Sequence, residues 1–410
     1  MAEAKQSMNI LVTGGAEGVG LATVRALLQR GHKVAATACD AEGALAVRMA
    51  GALPVFPDLG RASEIASALA MTKAEAIVHA GPQYYGGSPQ AADRFSAYSN
   101  ELVNVTAAVA EAAKQQGVKR IVSLSFGYLY ESSRGAAKEG DHDVREGDYA
   151  PMLQSESLMR ASGLSGTIVR SGYIYGGASA DTAALADAIK GSRRLPAGAA
   201  PASWIHEDDL AAAIATLLEA ESTPEGVEII NAAAESTATP GEFCAALSGA
   251  LGLSEPRFAA GGFLSSLREK NLRDRLLERE VIIDSRLLRE RFAWRPRHES
   301  LESGMEATAL VWRMKDAVHA DDYYNAYEDE AAAAIESFAY DVALPEPAAE
   351  AETPVALETA PAPEAAPAKA EAPPPSDGPT PWNEDEAKRE ERRRKALERK
   401  AKRAARSAGG

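Results

Sequence analysis

Cysteine is scarce in this chain: Cys39 and Cys244 are the only two among 410 residues. Two cysteines this far apart form no disulfide framework and show no metal-ligand spacing. This argues against the disulfide-rich class of secreted domains. We expect a reducing, cytoplasmic setting.

Long apolar runs are absent as well. No stretch approaches the roughly 18 consecutive apolar residues of a membrane-spanning helix. The first eight residues lack the apolar core of a signal peptide. We therefore expect no association with a membrane. Hydrophobic residues still make up 46% of the chain, enough for one large domain or two domains.

Basic residues are nearly missing from one part of the chain. Residues 316–386 hold 18 acidic residues and one lysine, whereas residues 388–406 hold 11 basic and 3 acidic residues. The net charge of −15 therefore reflects an acidic linker and says little about a substrate. We divide this part into an acidic extension that could be helical (316–342), a disordered linker rich in Ala, Pro and Glu (343–381), and a basic helical tail (382–410).

The N-terminal part contains a strand, a glycine-rich turn and a helix in immediate succession. Ile10–Val12 is an apolar run suited to a buried parallel strand, and Leu21–Gln29 is amphipathic. Between them the glycines follow the pattern T-G-x-x-x-G-x-G. Backbone N–H groups and the helix dipole attract an anion there, and glycine lets a pyrophosphate approach the main chain. The turn therefore predicts a dinucleotide cradle formed by Gly14, Gly15, Glu17, Gly18, Val19 and Gly20.

Short apolar runs alternate with amphipathic helical runs from residue 8 to residue 315, which predicts a doubly wound parallel sheet. The predicted strands are Ile10–Val12, Val34–Ala38, Leu53–Phe56, Ala76–His79, Arg120–Leu124 and Thr167–Val169. The predicted helices are Thr23–Gln29, Ala44–Met49, Ser63–Ala70, Asn100–Gln116 and Met152–Ala161.

Eight segments follow one another in the order and spacing of a known family. They are the glycine motif, Pro57–Leu59, Ile77–Gly81, Asn104–Thr106, Val118–Ser125, Ser162–Gly176, Trp204–Ala211, and Arg289–Pro296 with Ser300–Met305. In these segments the chain resembles the NAD-dependent epimerase/dehydratase family, the extended and atypical short-chain dehydrogenases/reductases. The resemblance implies an NAD(P)-binding Rossmann domain over residues 8–175 and a smaller substrate-side α/β subdomain over residues 176–315. It also implies a homodimer formed through the helices near Asn100–Gln116 and Met152.

The resemblance assigns further cofactor contacts to Asp58, Leu59, His79, Ala80, Gly81 and Asn104. From its own position, Asp58 could equally cap a turn. Asp40 follows the second strand, where an acid binds the ribose diol and repels a 2′-phosphate, and no arginine stands there. We therefore expect NAD as the cofactor and regard NADP as the weaker candidate.

Two other groups of residues have alternative interpretations. Arg170, Arg193 and Arg194 could contact a substrate, for example through a diphosphate, although the last two could simply be exposed near a turn. His206, Asp208 and Asp209 form a group of the kind that binds metal. They precede an apolar helical run, and carboxylates at that position cap and stabilise a helix N-terminus. We favour the cap and expect no metal.

The catalytic motif of the family is absent. Its chemistry uses Tyr-x-x-x-Lys with an upstream Ser or Thr; the lysine lowers the pKa of the tyrosine and holds the nicotinamide ribose. Ser125 and Tyr149 are the candidates for the two hydroxyls, but Leu153 stands at the lysine position and no Tyr-x-x-x-Lys occurs anywhere in the chain.

Three functions remain open. The first is an NAD(P)-binding protein with weakened or lost redox chemistry that serves as a binding, sensing or scaffolding module. The second is an active NAD-dependent epimerase/dehydratase or reductase acting on a nucleotide-sugar-like substrate, with His79 or Arg170 replacing the lysine electrostatically. The third is a platform whose basic tail, Lys388–Arg406, binds nucleic acid or an acidic protein surface.

Overall fold

The structure is a computed structural model, and it describes the chain up to Ala317 with several gaps. The described residues are 7–81, 91–131, 135–141, 143, 149–192, 195, 200–221, 224–258 and 280–317. Arg193, Arg194 and residues 318–410 lie outside this set, as do the predictions made for them. Within the described part, no helix is long and apolar enough to span a bilayer.

Strands and helices alternate along the chain. The first part contains β1 (Asn9–Thr13), α1 (Gly18–Gln29), β2 (Lys33–Thr37), α2 (Ala41–Met49), β3 (Leu53–Val55), α3 (Ala62–Thr72), β4 (Ala76–His79), α4 (Ala91–Gln115), β5 (Arg120–Phe126), α5 (Ala150–Ala161) and β6 (Gly166–Ser171). The later part contains β7 (Tyr173–Tyr175), α6 (Ala180–Lys190), β8 (Ala202–His206), α7 (Glu207–Leu218), β9 (Val227–Ala232), β10 (Thr237–Ala238), α8 (Pro240–Leu251), α9 (Arg286–Phe292) and α10 (Leu301–Ala317).

Seven of the strands form one parallel sheet in the order β3-β2-β1-β4-β5-β6-β9. The predicted doubly wound α/β fold is therefore confirmed, and its strand order is that of a Rossmann fold. The chain winds outward from β1 to β3 and then returns to place β4 on the other side of β1. Ligands bind at this reversal, beyond the carboxyl ends of the strands. In the register of β1 and β4, Thr13 lies opposite His79 at that edge.

All six predicted strands and all five predicted helices are present; β4 has the predicted ends, and each of the others has at least one shifted end. Helix α1 begins at Gly18 instead of the predicted start near Leu21, so the last two glycines of the motif belong to its first turn. Helix α4 begins at Ala91, well before the predicted Asn100. The earlier start of α1 places its N-terminus, with the positive end of its dipole, directly at the glycine turn.

Residues 176–315 contribute to two sheets. Strands β7, β8 and β10 form a small second sheet, with β8 in the middle. Strand β9 instead pairs with β6 in the main sheet, and α7 packs against α1 in the main core. Ile230 of β9 is buried like the apolar residues of the other parallel strands, and Ile229 is half-buried. The division into two domains at residue 175 stays a prediction.

Most alanines in the C-terminal half of α4 pack inside this chain. Ala108, Ala112 and Ala113 are buried in the core layer that also contains Ile121 of β5, and α4 packs against α5. Ala107 of the same helix is exposed. The alanine-rich face therefore explains the packing within one protomer, and the homodimer stays a prediction.

Candidate cofactor site

The glycine turn between β1 and α1 has a backbone that favours glycine. Gly14 and Gly18 have positive φ angles of +67° and +49°. A Cβ atom at Gly14 would lie 2.8 Å from the Cα of Gly81, and one at Gly20 would clash with the carbonyl oxygen of Gly14. The turn, the start of α1 and the end of β4 thus approach at backbone distance. They leave the N-terminus of α1 as a cradle for a diphosphate.

Two hydrogen bonds fix the start of this turn. The Gly14 N–H donates to the Thr37 hydroxyl at 3.0 Å, and the Thr13 hydroxyl lies 2.8 Å from Nδ1 of His79. These contacts join β1 to both of its neighbours, β2 and β4. The sequence predicted the glycines of the cradle and included Thr13 in their motif without a role of its own, and it missed Thr37.

Three acidic side chains lie near one another at the outer rim of the cradle, namely Glu17, Asp40 and Glu42. Asp40 caps α2, and its Oδ1 accepts from the Gly43 N–H at 2.8 Å. Burial, with the nearby charges of Asp40 and Glu42, raises the pKa of the Glu17 carboxyl above its usual value. The rim therefore has a negative potential where the second strand ends.

Asp58, Leu59 and Asn104 are three of the cofactor contacts that the resemblance predicts. The Asp58 carboxylate accepts from the Gly60 N–H at 2.9 Å and pairs with Arg61 at 3.1 Å, which makes it a turn cap on the surface. Asn104 is exposed, and the neighbouring Thr106 is the residue whose hydroxyl lies 3.2 Å from Nε2 of His79. Leu59 packs partly buried against the core layer. Contacts of these residues with a cofactor stay predictions.

His79 is almost completely buried, and both of its ring nitrogens are engaged, one by Thr13 and one by Thr106. Burial lowers the pKa of His79 to about 4, so the imidazole is neutral at pH 7. A neutral ring with both nitrogens occupied cannot supply the positive charge of a missing lysine.

Ser125, at the carboxyl end of β5, donates its proton to Oε1 of Glu156 at 2.5 Å. Glu156 extends from α5 and is held by Arg170, whose Nε and Nη2 donate to the two carboxylate oxygens at 2.9 and 2.6 Å. Arg170 also pairs with Asp143 at 2.6 Å and lies over the Tyr130 ring. This network includes the hydroxyl of the expected catalytic serine.

Arg170 was expected to face a substrate, and the structure does not support this expectation. Only 1% of its side chain is exposed, and two carboxylates neutralise its charge. Arg170 is the fifth of the six residues of the buried strand β6, and its side chain is held by Glu156 of α5 and by Asp143.

Tyr149 precedes α5, and its ring is buried in an apolar cluster with Tyr128, 6.0 Å away between ring centres. The buried positions of α5 are Met152, Ser155, Glu156 and Met159, and Leu153 packs half-buried against the same cluster. No lysine occurs in this helix on any face. The lysine is therefore absent from this helix in whatever way the family motif is aligned with it.

The group around His206 is a helix cap, as the sequence predicted. Nδ1 of His206 accepts from the Asp208 N–H at 3.2 Å at the N-terminus of α7. Asp209 accepts from the N–H groups of Arg297 and His298 at 2.6 and 3.1 Å. Although ligand atoms of His206, Asp208 and His298 lie within 4.8 Å of one another, the N–H groups of the helix end oppose a cation there.

The sequence interpretation overlooked Glu156, Thr106 and Ser155. A usable signal was present for Glu156. Residues 152, 155, 156 and 159 share one helix face at i, i+3 and i+4 spacing, so the acid lies on an otherwise apolar or small-residue face. A carboxylate on such a face requires a buried cation, and Arg170 is the arginine within the following apolar strand.

A family model described as NAD(P)H-binding matches residues 14–221, about half of the chain. Among curated proteins, none matches the sequence.

Several solved structures share the fold at low sequence identity. UDP-glucose 4-epimerase from Thermotoga maritima, with UDP-glucose, has a TM-score of 0.62 and 19% identity, covering 75% of this chain and 99% of that chain. UDP-glucose-4-epimerase from Stenotrophomonas maltophila, with NAD and formylated UDP-arabinopyranose, has a TM-score of 0.63 and 18% identity over 76% and 100%. The dTDP-glucose 4,6-dehydratase of Bacillus anthracis, with NAD, has a TM-score of 0.61 and 18% identity over 75% and 97%.

Proposed function

From the premise that the chain belongs to the NAD(P)H-binding family, we propose that it binds NAD and does not carry out the hydride chemistry of the Tyr-Lys enzymes. One observation carries the proposal: an intact glycine cradle at the carboxyl end of β1 stands beside a helix, α5, that has no lysine. The protein acts as a cofactor-binding module, in which occupancy of the cradle is the functional event.

The hydroxyl groups near the expected reaction centre support this proposal. A serine has one proton to donate, and that of Ser125 goes to Glu156. It is therefore not available to polarise a substrate oxygen. The two residues that could replace the lysine are also engaged, since His79 is neutral and Arg170 is paired with two carboxylates.

The acidic rim supports NAD over NADP. A 2′-phosphate would bring negative charge to the place where Glu17, Asp40 and Glu42 already repel one another. A ribose diol, by contrast, can donate hydrogen bonds to carboxylates. Like charges at close range weaken binding, so the rim discriminates against NADP by repulsion.

Fluorescence titration with NADH and NADPH tests the proposal. The wild-type protein should bind NADH, and NADPH at least ~10-fold more weakly, which corresponds to about 1.4 kcal/mol. A Glu17→Gln, Asp40→Asn double variant should bind NADPH more tightly, because it removes charge while asparagine still caps α2. Glu75→Gln is the matched control, since Glu75 pairs with Lys119 at the opposite end of the sheet. No NADH binding at millimolar concentration would refute the proposal.

A second candidate is favoured by the ligands of the structural neighbours. Two of the structures named above hold UDP-sugars, so this chain could act as an epimerase or dehydratase on a nucleotide sugar. In that case Tyr149 and Ser125 would contact the sugar hydroxyl, and Tyr149→Phe should abolish turnover. A Tyr149→Phe variant as active as the wild type would eliminate this candidate.

A further inference from the structure

We propose that His79 is a positioning residue, which holds the glycine turn in its binding conformation through a buried chain of hydrogen bonds. The inference rests on the proposed NAD binding. It adds a buried residue that supports the cradle from inside the fold. Thr13 carries the effect of His79 to the turn.

The chain of hydrogen bonds has four members on four different elements. The Thr13 hydroxyl of β1 lies 2.8 Å from Nδ1 of His79 on β4, and Nε2 of the same ring lies 3.2 Å from the Thr106 hydroxyl on α4. The Thr106 hydroxyl is 2.5 Å from that of Ser155 on α5. All four side chains are less than 9% exposed. Buried polar groups of this kind are costly to leave unpaired, so the chain fixes its members in one arrangement.

Thr13 immediately precedes the turn, so its position sets that of Gly14. The backbones of Gly14 and Gly81 are in close contact here. A Cβ atom at Gly81 would lie 3.0 Å from the Cα of Gly14, and one at Gly14 would lie 2.8 Å from the Cα of Gly81. His79 is two residues before Gly81 and pairs with Thr13 in the strand register. One imidazole therefore fixes both sides of the contact between the turn and β4.

A neutral imidazole has one donor and one acceptor nitrogen, and the two nitrogens point in different directions. Amide side chains can replace them one at a time. Asparagine places a polar atom near the position of Nδ1 and so keeps the contact with Thr13. Glutamine places one near Nε2 and so keeps the contact with Thr106. The two variants therefore test separately the hydrogen bond to Thr13, which holds the turn, and the hydrogen bond to Thr106, which leads to the helices α4 and α5.

The test compares NADH affinities of His79→Asn, His79→Gln and Thr13→Val, measured by fluorescence at a temperature where circular dichroism shows each variant folded. His79→Gln and Thr13→Val should bind NADH about 10-fold more weakly, the loss expected from one buried hydrogen bond of ~1.4 kcal/mol. His79→Asn should stay within about threefold of the wild type, or about 0.65 kcal/mol. Both His79 variants should melt at a lower temperature, so reduced stability cannot account for the difference between them.

Hydrogen exchange provides the second measurement. In His79→Gln, the amides of residues 13–20 should exchange faster than in the wild type, while those of α7 should be unchanged. If His79→Gln fails to fold, Thr13→Val makes the same test with the imidazole intact. Equal NADH affinity in the wild type, His79→Gln and Thr13→Val would overturn the inference. So would an equal loss in His79→Asn and His79→Gln. A wild-type protein that binds no NADH would refute the proposed function and this inference with it.

Discussion

Ser125 illustrates at the scale of one residue why the type of a side chain does not determine its chemistry. Its position at the end of β5 is the one expected of a catalytic hydroxyl. The 2.5 Å hydrogen bond to Glu156 gives that hydroxyl a structural partner instead. Both carboxylate oxygens of Glu156 also accept hydrogen bonds from Arg170, so the partner of the serine is itself fixed in place.

Gly20 provides the sharpest single-residue prediction. Gly20→Ala should abolish NADH binding and destabilise the fold, because the added methyl group meets the carbonyl oxygen of Gly14 inside the cradle. The control is Gly249→Ala in α8, where a Cβ meets nothing within 4 Å. That substitution should stabilise the protein by about 0.5–1 kcal/mol and leave binding unchanged. Titration with NADH and urea unfolding measure both effects; full binding by Gly20→Ala would contradict the cradle.

At the scale of elements, α5 is attached to the sheet by polar contacts at two successive residues. Ser155 belongs to the series of hydrogen bonds that runs through Thr106 to His79. Glu156 bonds to Ser125 of β5 and to Arg170 of β6. In place of a lysine that would reach a cofactor, the helix presents groups that fix it to the strands. The inward-facing residues Ser155 and Glu156 thus attach α5 to the sheet.

The ion pair between α5 and β6 can be tested against an exposed pair of the same chain. Arg170→Met should lower the free energy of unfolding by about 3–5 kcal/mol, because it leaves the buried carboxylate of Glu156 uncompensated. Lys119→Met removes the cation of the exposed Lys119–Glu75 pair, where 76% of the lysine side chain is accessible. This control should change stability by no more than ~1 kcal/mol. Equal effects in urea unfolding would show that the network does not stabilise the fold.

At the scale of the whole molecule, buried histidines predict how stability depends on pH. Burial lowers the pKa of His79 to about 4, against about 6.5 in an unfolded chain. Between these values the unfolded state binds the additional proton, so stability falls as the pH falls from 6.5 to 4 and is fully present above 6.5. His79 should account for about 3 kcal/mol of this loss. His206, with its pKa also lowered to about 4, acts in the same direction.

Urea unfolding at a series of pH values measures this dependence. Between pH 6.5 and 4 the His79→Asn variant should show a shallower decline than the wild type, by up to about one proton in slope. Carboxylates contribute to the decline in both proteins and cancel in the comparison. Identical slopes would mean that folding does not lower the pKa of His79.

Local features of the sequence predicted the cradle and the main sheet well, whereas long-range features stayed hidden. The glycine spacing and the apolar runs determine β1, α1 and their turn within a few residues. The entry of β9 into the main sheet depends on pairing with β6, and short-range patterns do not encode such pairing. Likewise, the partner of Ser125 depends on how α5 packs over β5 and β6.

The central claim, a cofactor that is held and not used, is tested most directly by measuring occupancy and turnover in one sample. The full-length protein is saturated with NAD, as judged by titration, and incubated with UDP-glucose, and the sugar nucleotides are then separated by chromatography. The account predicts a filled cofactor site and unchanged UDP-glucose. An altered sugar nucleotide that accumulates with time, and is lost in Tyr149→Phe, would contradict it.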